Sequence, residues 1–156
     1  MSISPEQLLQ QLRSFEAALR EAKTKEVAVG VIGNTTSVYQ HGQNVLDVAG
    51  AHEFGKGRMP ARSFLRMPFN NKRNEIDAAI LTQFRRVADG RASVQQALGL
   101  VGVTARNISI EAFETGGFGQ WQDISAETKA TKGSDTILWD TGKLVGSVTW
   151  AVRDAT

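Results

Sequence analysis

Residues 71–114 read NKRNEIDAAILTQFRRVADGRASVQQALGLVGVTARNISIEAFE, and this stretch decides the fold class. Asn70 or Asn71 caps a predicted helix running to about Asp89, with Ile76, Ile80, Phe84 and Val87 as its core stripe and Gly90 as its stop. A second helix is predicted from Ser93 to about Glu114. Its apolar positions, Val94, Leu98, Val101, Ala105, Ile108 and Ala112, recur at steps of three and four. Gly99 and Gly102 cost that helix about 1 kcal/mol each relative to Ala, so their expected use is the close approach of another backbone. The link Asp89–Ala92 is short, so the two helices are expected to pack as an antiparallel hairpin.

Upstream, Ser4 and Pro5 open an amphipathic helix whose stripe, Leu8, Leu12, Phe15 and Leu19, is expected to dock on a core, with Arg13, Glu16, Arg20 and Lys23 on the opposite side. EVAVGVI, Glu26–Ile32, is a β-branched strand, and a weaker strand is expected within Asn44–Phe54. Downstream, Thr115–Gly119 breaks the helix. A polar stretch with a short helix begun at Ser125 follows, then an apolar lead, Thr136–Trp139, into the turn Asp140-Thr141-Gly142. The tail LVGSVTWAV ends as a strand with Val148, Trp150 and Val152 on one face. The expected fold is α+β: a small antiparallel or mixed sheet, an N-terminal helix and a long antiparallel helical hairpin, forming one domain over residues 1–156.

Composition narrows the chemistry. The chain has no Cys, so disulfides, thiolate nucleophiles and Cys-ligated metals are excluded. Charges every few residues in the first 26 positions argue against a signal peptide or a membrane span, and without secretion the sequon Asn34-Thr35-Thr36 is expected to stay unmodified. His41 and His52 are the two histidines. His52-Glu53 lacks the second His of a zincin, since position 56 is Lys, and no metal or cofactor is expected. Gly55-Lys56-Gly57 and Gly116-Gly117-Phe118-Gly119 lack nucleotide-binding spacing and read as flexible connectors.

Asp140-Thr141-Gly142 has the look of an aspartic-protease loop that works as a dimer. Lys143 stands where a small residue is usual, and the fourteen residues after Gly142 are too few for a flap. A turn closed by an Asp140 side-chain bond is the simpler expectation. No serine sits in a nucleophile elbow, so no enzyme is expected.

What remains is charge and grease. Lys56, Arg58, Arg62, Arg66, Lys72 and Arg73 fall within eighteen residues that hold no Asp or Glu, interleaved with Met59, Pro60, Phe64, Leu65, Met67 and Phe69. Pro60 and Pro68 argue against a continuous helix here. So apolar a loop must bury its side chains in its own protein or in a partner. The expected use is an oligomer or partner interface at Met59, Pro60, Arg62, Phe64, Leu65, Met67 and Phe69. The cations would meet acidic protein or DNA, and Arg85, Arg86 and Arg91 could extend them.

The pattern Ala49, then His52-Glu53-Phe54-Gly55, a short basic loop, and Pro60 through Arg66 resembles the phage virion morphogenesis (tail completion) family, most closely in Mu-like phages. The second half agrees: Trp121 to Asp123, Thr128 to Lys132, then Leu138 through Ser147 with Asp140, Thr141, Gly142, Leu144 and Ser147. The resemblance implies a non-enzymatic virion protein of the neck or the head-proximal tail end, made in the host cytoplasm. It implies a homo-oligomeric ring, most simply a hexamer, touching tail tube or terminator and head connector, with DNA possible in the lumen. A small basic nucleic-acid-binding module is the competing class.

Overall fold

In the computed structural model, residues 3–32, 39, 42–127, 130 and 142–156 are described. The described residues form six helices and two strands, an α+β fold with an N-terminal helix. In chain order these are α1 (Pro5–Lys23), β1 (Lys25–Val31), α2 (Val45–Phe54), α3 (Arg66–Asn71), α4 (Arg73–Ala88), α5 (Val94–Glu114), α6 (Lys143–Ser147) and β2 (Val148–Asp154). The strands pair into a two-stranded antiparallel sheet. The expected apolar lead at Thr136–Trp139 and the Asp140-Thr141 pair lie outside the described residues, as do His41 and the Asn34 sequon.

The chain gathers into two compact units, each assembled from separated stretches. The first comprises residues 1–28, 74–104 and 150–156. Its α1 begins with a reciprocal cap: Ser4 Oγ accepts from the Gln7 N–H, and Gln7 Oε1 accepts from the Ser4 N–H. Ser93 and Gln96 make the same exchange before α5. Gly90, at φ 70°, ends α4 as predicted. The strand ends are fastened by Lys25–Asp154 and Arg153–Glu26 ion pairs, each 2.6 Å, and by the Ala155 N–H donated to the Thr24 carbonyl.

Three expectations fail in this unit. The α1 stripe is not docked: α1 has no buried residue, and Leu8, Leu12 and Leu19 are exposed. The unit instead packs Ala18 and Ala22 against a small core of Val87, Val94 and Ala97. The α4 stripe is buried only at Val87, beside the turn into α5, while Ile80 is exposed. Finally, Gly99 and Gly102 make room for an indole, not a backbone. A Cβ on Gly102 would stand 2.8 Å from Trp150 Cδ2 and Cε3, and one on Gly99 would stand 3.2 Å from Trp150 Cη2.

The second unit comprises residues 29–73 and 105–149. Its core joins Val45, Ala49, Phe64, Ala112, Phe113, Trp121, Leu144, Val145 and Val148. The predicted strand within Asn44–Phe54 is helix α2. Asn44 caps it, its side chain accepting from the Leu46 N–H at 2.9 Å, and Val45, Ala49 and Glu53 recur at four-residue steps on the buried face. A neighbouring pair of β-branched residues, Val45 and Val48, mimics strand composition, but the burial period is helical. The 116–119 segment is no loose connector either. Gly116, Gly117 and Gly119 all take positive φ in a turn beneath Trp121, and a Cβ on Gly117 would collide with that indole. Nor do Asn70 and Asn71 cap α4: they close α3, and α4 starts two residues later.

Candidate functional site

The segment between α2 and α3 holds the residues on which the sequence reading converged, and one carboxylate organises it. Glu53, in the last turn of α2, is buried. Its Oε2 accepts the N–H groups of Phe64 (2.9 Å) and Leu65 (3.1 Å). Its Oε1 accepts the Ser63 hydroxyl (2.7 Å), the Arg66 N–H (3.1 Å) and Arg66 Nε (3.0 Å). Leu65 stands at the N-cap of α3 without a capping side chain of its own; Glu53 takes the Leu65 and Arg66 N–H groups and Ser63 Oγ takes that of Met67. Burial pushes the Glu53 carboxyl up, but hydrogen bonds from Ser63, Arg66 and Leu65 outweigh it and hold the group below its ordinary range.

Around this anchor the chain folds tightly. Gly55 takes φ 78° where a Cβ would press at 3.1 Å on Ala61 N and Met59 O, so only glycine fits. Lys56 and Met59 exchange backbone hydrogen bonds in a small hairpin, and the Arg62 N–H donates to the His52 carbonyl at 2.7 Å. Ser63 Oγ accepts the Met67 N–H, and Ser109 Oγ donates to the Phe64 carbonyl at 2.7 Å. The Gly55–Gly57 segment is thus ordered, contrary to its reading as a flexible connector. Pro68 sits in the first turn of α3, where the N–H it lacks has no helical partner to meet.

This geometry corrects the expected interface. Phe64 is 1% exposed, with its ring 5.1 Å from that of Phe113, which meets Trp121 edge-on at 5.8 Å. It fills its own core and cannot insert into a neighbour. Met59, Pro60, Leu65, Met67 and Phe69 are half-buried, with Leu65 and Met67 packed against the same core. Arg62 is buried: Nε donates to the Gln122 carbonyl (3.0 Å) and Nη2 to the Asp123 carbonyl (3.3 Å). Burial pulls its pKa below the ordinary guanidinium value, with Asp123 opposing.

The basic patch is reduced in the same way. Arg66 is bound to Glu53 and lies 4.4 Å over the Phe54 ring, while Lys72 pairs with Glu111 at 3.5 Å and faces the Phe118 ring. Lys56, Arg58, Arg66 and Arg73 are exposed. Phe54 itself is 66% exposed, the most of any large hydrophobic side chain among the described residues.

The described parts of the separated motif stretches, Trp121–Asp123 and Gly142–Ser147, meet here, while residues 128, 129, 131, 132 and 138–141 of the pattern lie outside the described residues. Trp121 Nε1 donates to the Ser63 carbonyl at 3.2 Å, and Leu144 lies in the same core. Gly142 precedes α6 with φ 68°, and Ser147 Oγ donates back to the Lys143 carbonyl. Composition gives no hint of the Glu53 role. Its signal is a carboxylate on the buried face of α2, visible only once that segment is read as a helix. Among the described residues no three His, Asp or Glu side chains gather as a metal set, and no helix is long and apolar enough to cross a membrane. Searches against protein-family models, curated proteins and solved structures return no match for the chain.

Proposed function

We propose that this chain is a structural, non-enzymatic subunit of a tailed-phage virion, acting at the head-proximal end of the tail or in the neck where tail joins head. The observation that carries the reading is the meeting, in one framework, of the described parts of the two motif stretches. Glu53 holds the Ser63–Arg66 backbone, and Trp121 closes over Ser63. A sequence signature spent on framework suits a protein whose product is a shape. The Glu53 carboxylate accepts five donors, which leaves it poorly suited to acid–base work on a substrate.

In this reading the subunits form a homo-oligomeric ring, six-fold where the tail tube is six-fold, in contact with tube or terminator on one side and head connector on the other. Phe64 has no part in the ring contact. The exposed Phe54, stacked by Arg66, takes its place as the apolar element beside Lys56 and Arg58. Those cations also favour a second reading, a small basic nucleic-acid-binding module. Reconstruction of the intact particle tests the first: density for this chain belongs at the head–tail junction, and its absence from the particle refutes the assignment. Binding of duplex DNA that weakens at least tenfold between 50 and 200 mM salt would favour the second.

A further inference from the structure

We propose that α1 pairs, antiparallel and about a two-fold axis, with α1 of a second copy of this chain. The helix spans nineteen residues and buries none of them. Its own unit covers the face carrying Ala18 and Ala22, and the leucines lie to one side of that face. Leu9 and Leu12 are each 55% exposed, and Leu8 and Leu19 nearly as much. The reciprocal cap at Ser4–Gln7 and Pro5 at the first position preform the helix, so the apolar stripe is presented ready-made.

Three features select a second copy as the occupant. The spacing Leu8, Leu12, Phe15, Leu19 runs four, three, four, which reads the same in both directions. An antiparallel partner therefore sets Leu8 opposite Leu19 and Leu12 opposite the exposed edge of the half-buried Phe15, the knobs-into-holes seam of a two-helix pair. The ends agree in charge: the acidic first turn at Glu6 comes beside the basic last turn at Arg20 and Lys23, whereas parallel pairing sets like beside like. The exposure is suitable too. Leu8, Leu12 and Leu19, 41–55% exposed, form the apolar centre of a small two-helix contact, and the polar residues beside them form its rim.

Such a contact uses the same patch on both copies and closes at two. A ring needs a different, heterologous contact, so the pairing does not depend on the ring.

The chain has no cysteine, which makes single cysteines clean reporters. Mixed Leu8→Cys and Leu19→Cys full-length chains should cross-link to each other under mild oxidation several-fold more than either does alone. This reads the α1 contact whether or not larger rings form. Leu12→Glu, an exposed change that should leave helicity by circular dichroism intact, should abolish that cross-link and weaken pairing at least tenfold in sedimentation. Self-cross-linking of Leu8→Cys above the mixture, or a chain that stays monomeric at high micromolar concentration, would overturn the proposal.

Discussion

Glu53 accepts the backbone N–H of Phe64 at 2.9 Å, so a buried charge on α2 sets the position of the ring at the centre of the second unit's core. Replacing the acceptor tests that dependence. Glu53→Gln keeps the shape but turns an amide donor toward N–H groups that are themselves donors. Hydrogen bonds to a buried charge are the strong ones, and a loss of about 2–4 kcal/mol is expected in urea unfolding. A midpoint unchanged from the parent would show that the 63–66 segment holds itself.

The same carboxylate sets an acid limit. Its folded-state pKa lies below the ordinary value of 4.5, so below that value the unfolded chain binds a proton that the folded one still refuses. The stabilisation is complete above the unfolded pKa and is lost as pH falls through the folded one. Stability measured from pH 6 downward should fall more steeply for the parent than for Glu53→Gln. Parallel curves would mean that Glu53 contributes no linkage.

Phe64 and Phe54 should separate stability from assembly. Phe64→Ala removes a ring packed against Phe113, and about 3–5 kcal/mol should go with it. Phe54→Ala removes a ring mostly in water; its unfolding midpoint should stay within about 0.5 kcal/mol of the parent, while ring formation, read by light scattering, should weaken. The reverse pattern would restore Phe64 as the interface residue.

How far the fold was legible follows from what each residue meets. The caps at Ser4 and Pro5, the Gly90 stop and the extent of α5 were readable because they are local: the bonding partner lies within a turn. The α+β class followed from the same periodicity. Misread elements depend on distant residues. Asn44–Phe54 looked like a strand because Val45 and Val48 favour one; its helical burial appears only with Glu53 turned inward to Phe64, eleven residues on. The Met59–Phe69 segment is legible as too apolar for water. Whether it fills its own core or a partner's depended on Phe113 and Trp121, about fifty residues away. The α1 stripe was legible as a stripe, yet nothing local shows that its own unit leaves it uncovered.

Trp150 gives the helical glycines their reason. On a free helix face, Gly102→Ala would gain about 1 kcal/mol. Here the new Cβ meets a rigid indole at 2.8 Å, and a net loss of about 1–3 kcal/mol is expected. Gly99→Ala, tight only against Trp150 Cη2 at 3.2 Å, should be close to neutral. Adding Trp150→Leu should recover much of the Gly102→Ala loss. Equal effects at both glycines would place the strain elsewhere.

The central claim is that the chain is needed to join head to tail, and its most direct test is electron microscopy of particles assembled without it. Under the proposed reading, removing its coding sequence from a phage that carries it should leave DNA-filled heads and full-length tails accumulating apart, with joining restored when the chain is supplied in trans. Intact, infectious particles in its absence would contradict the account.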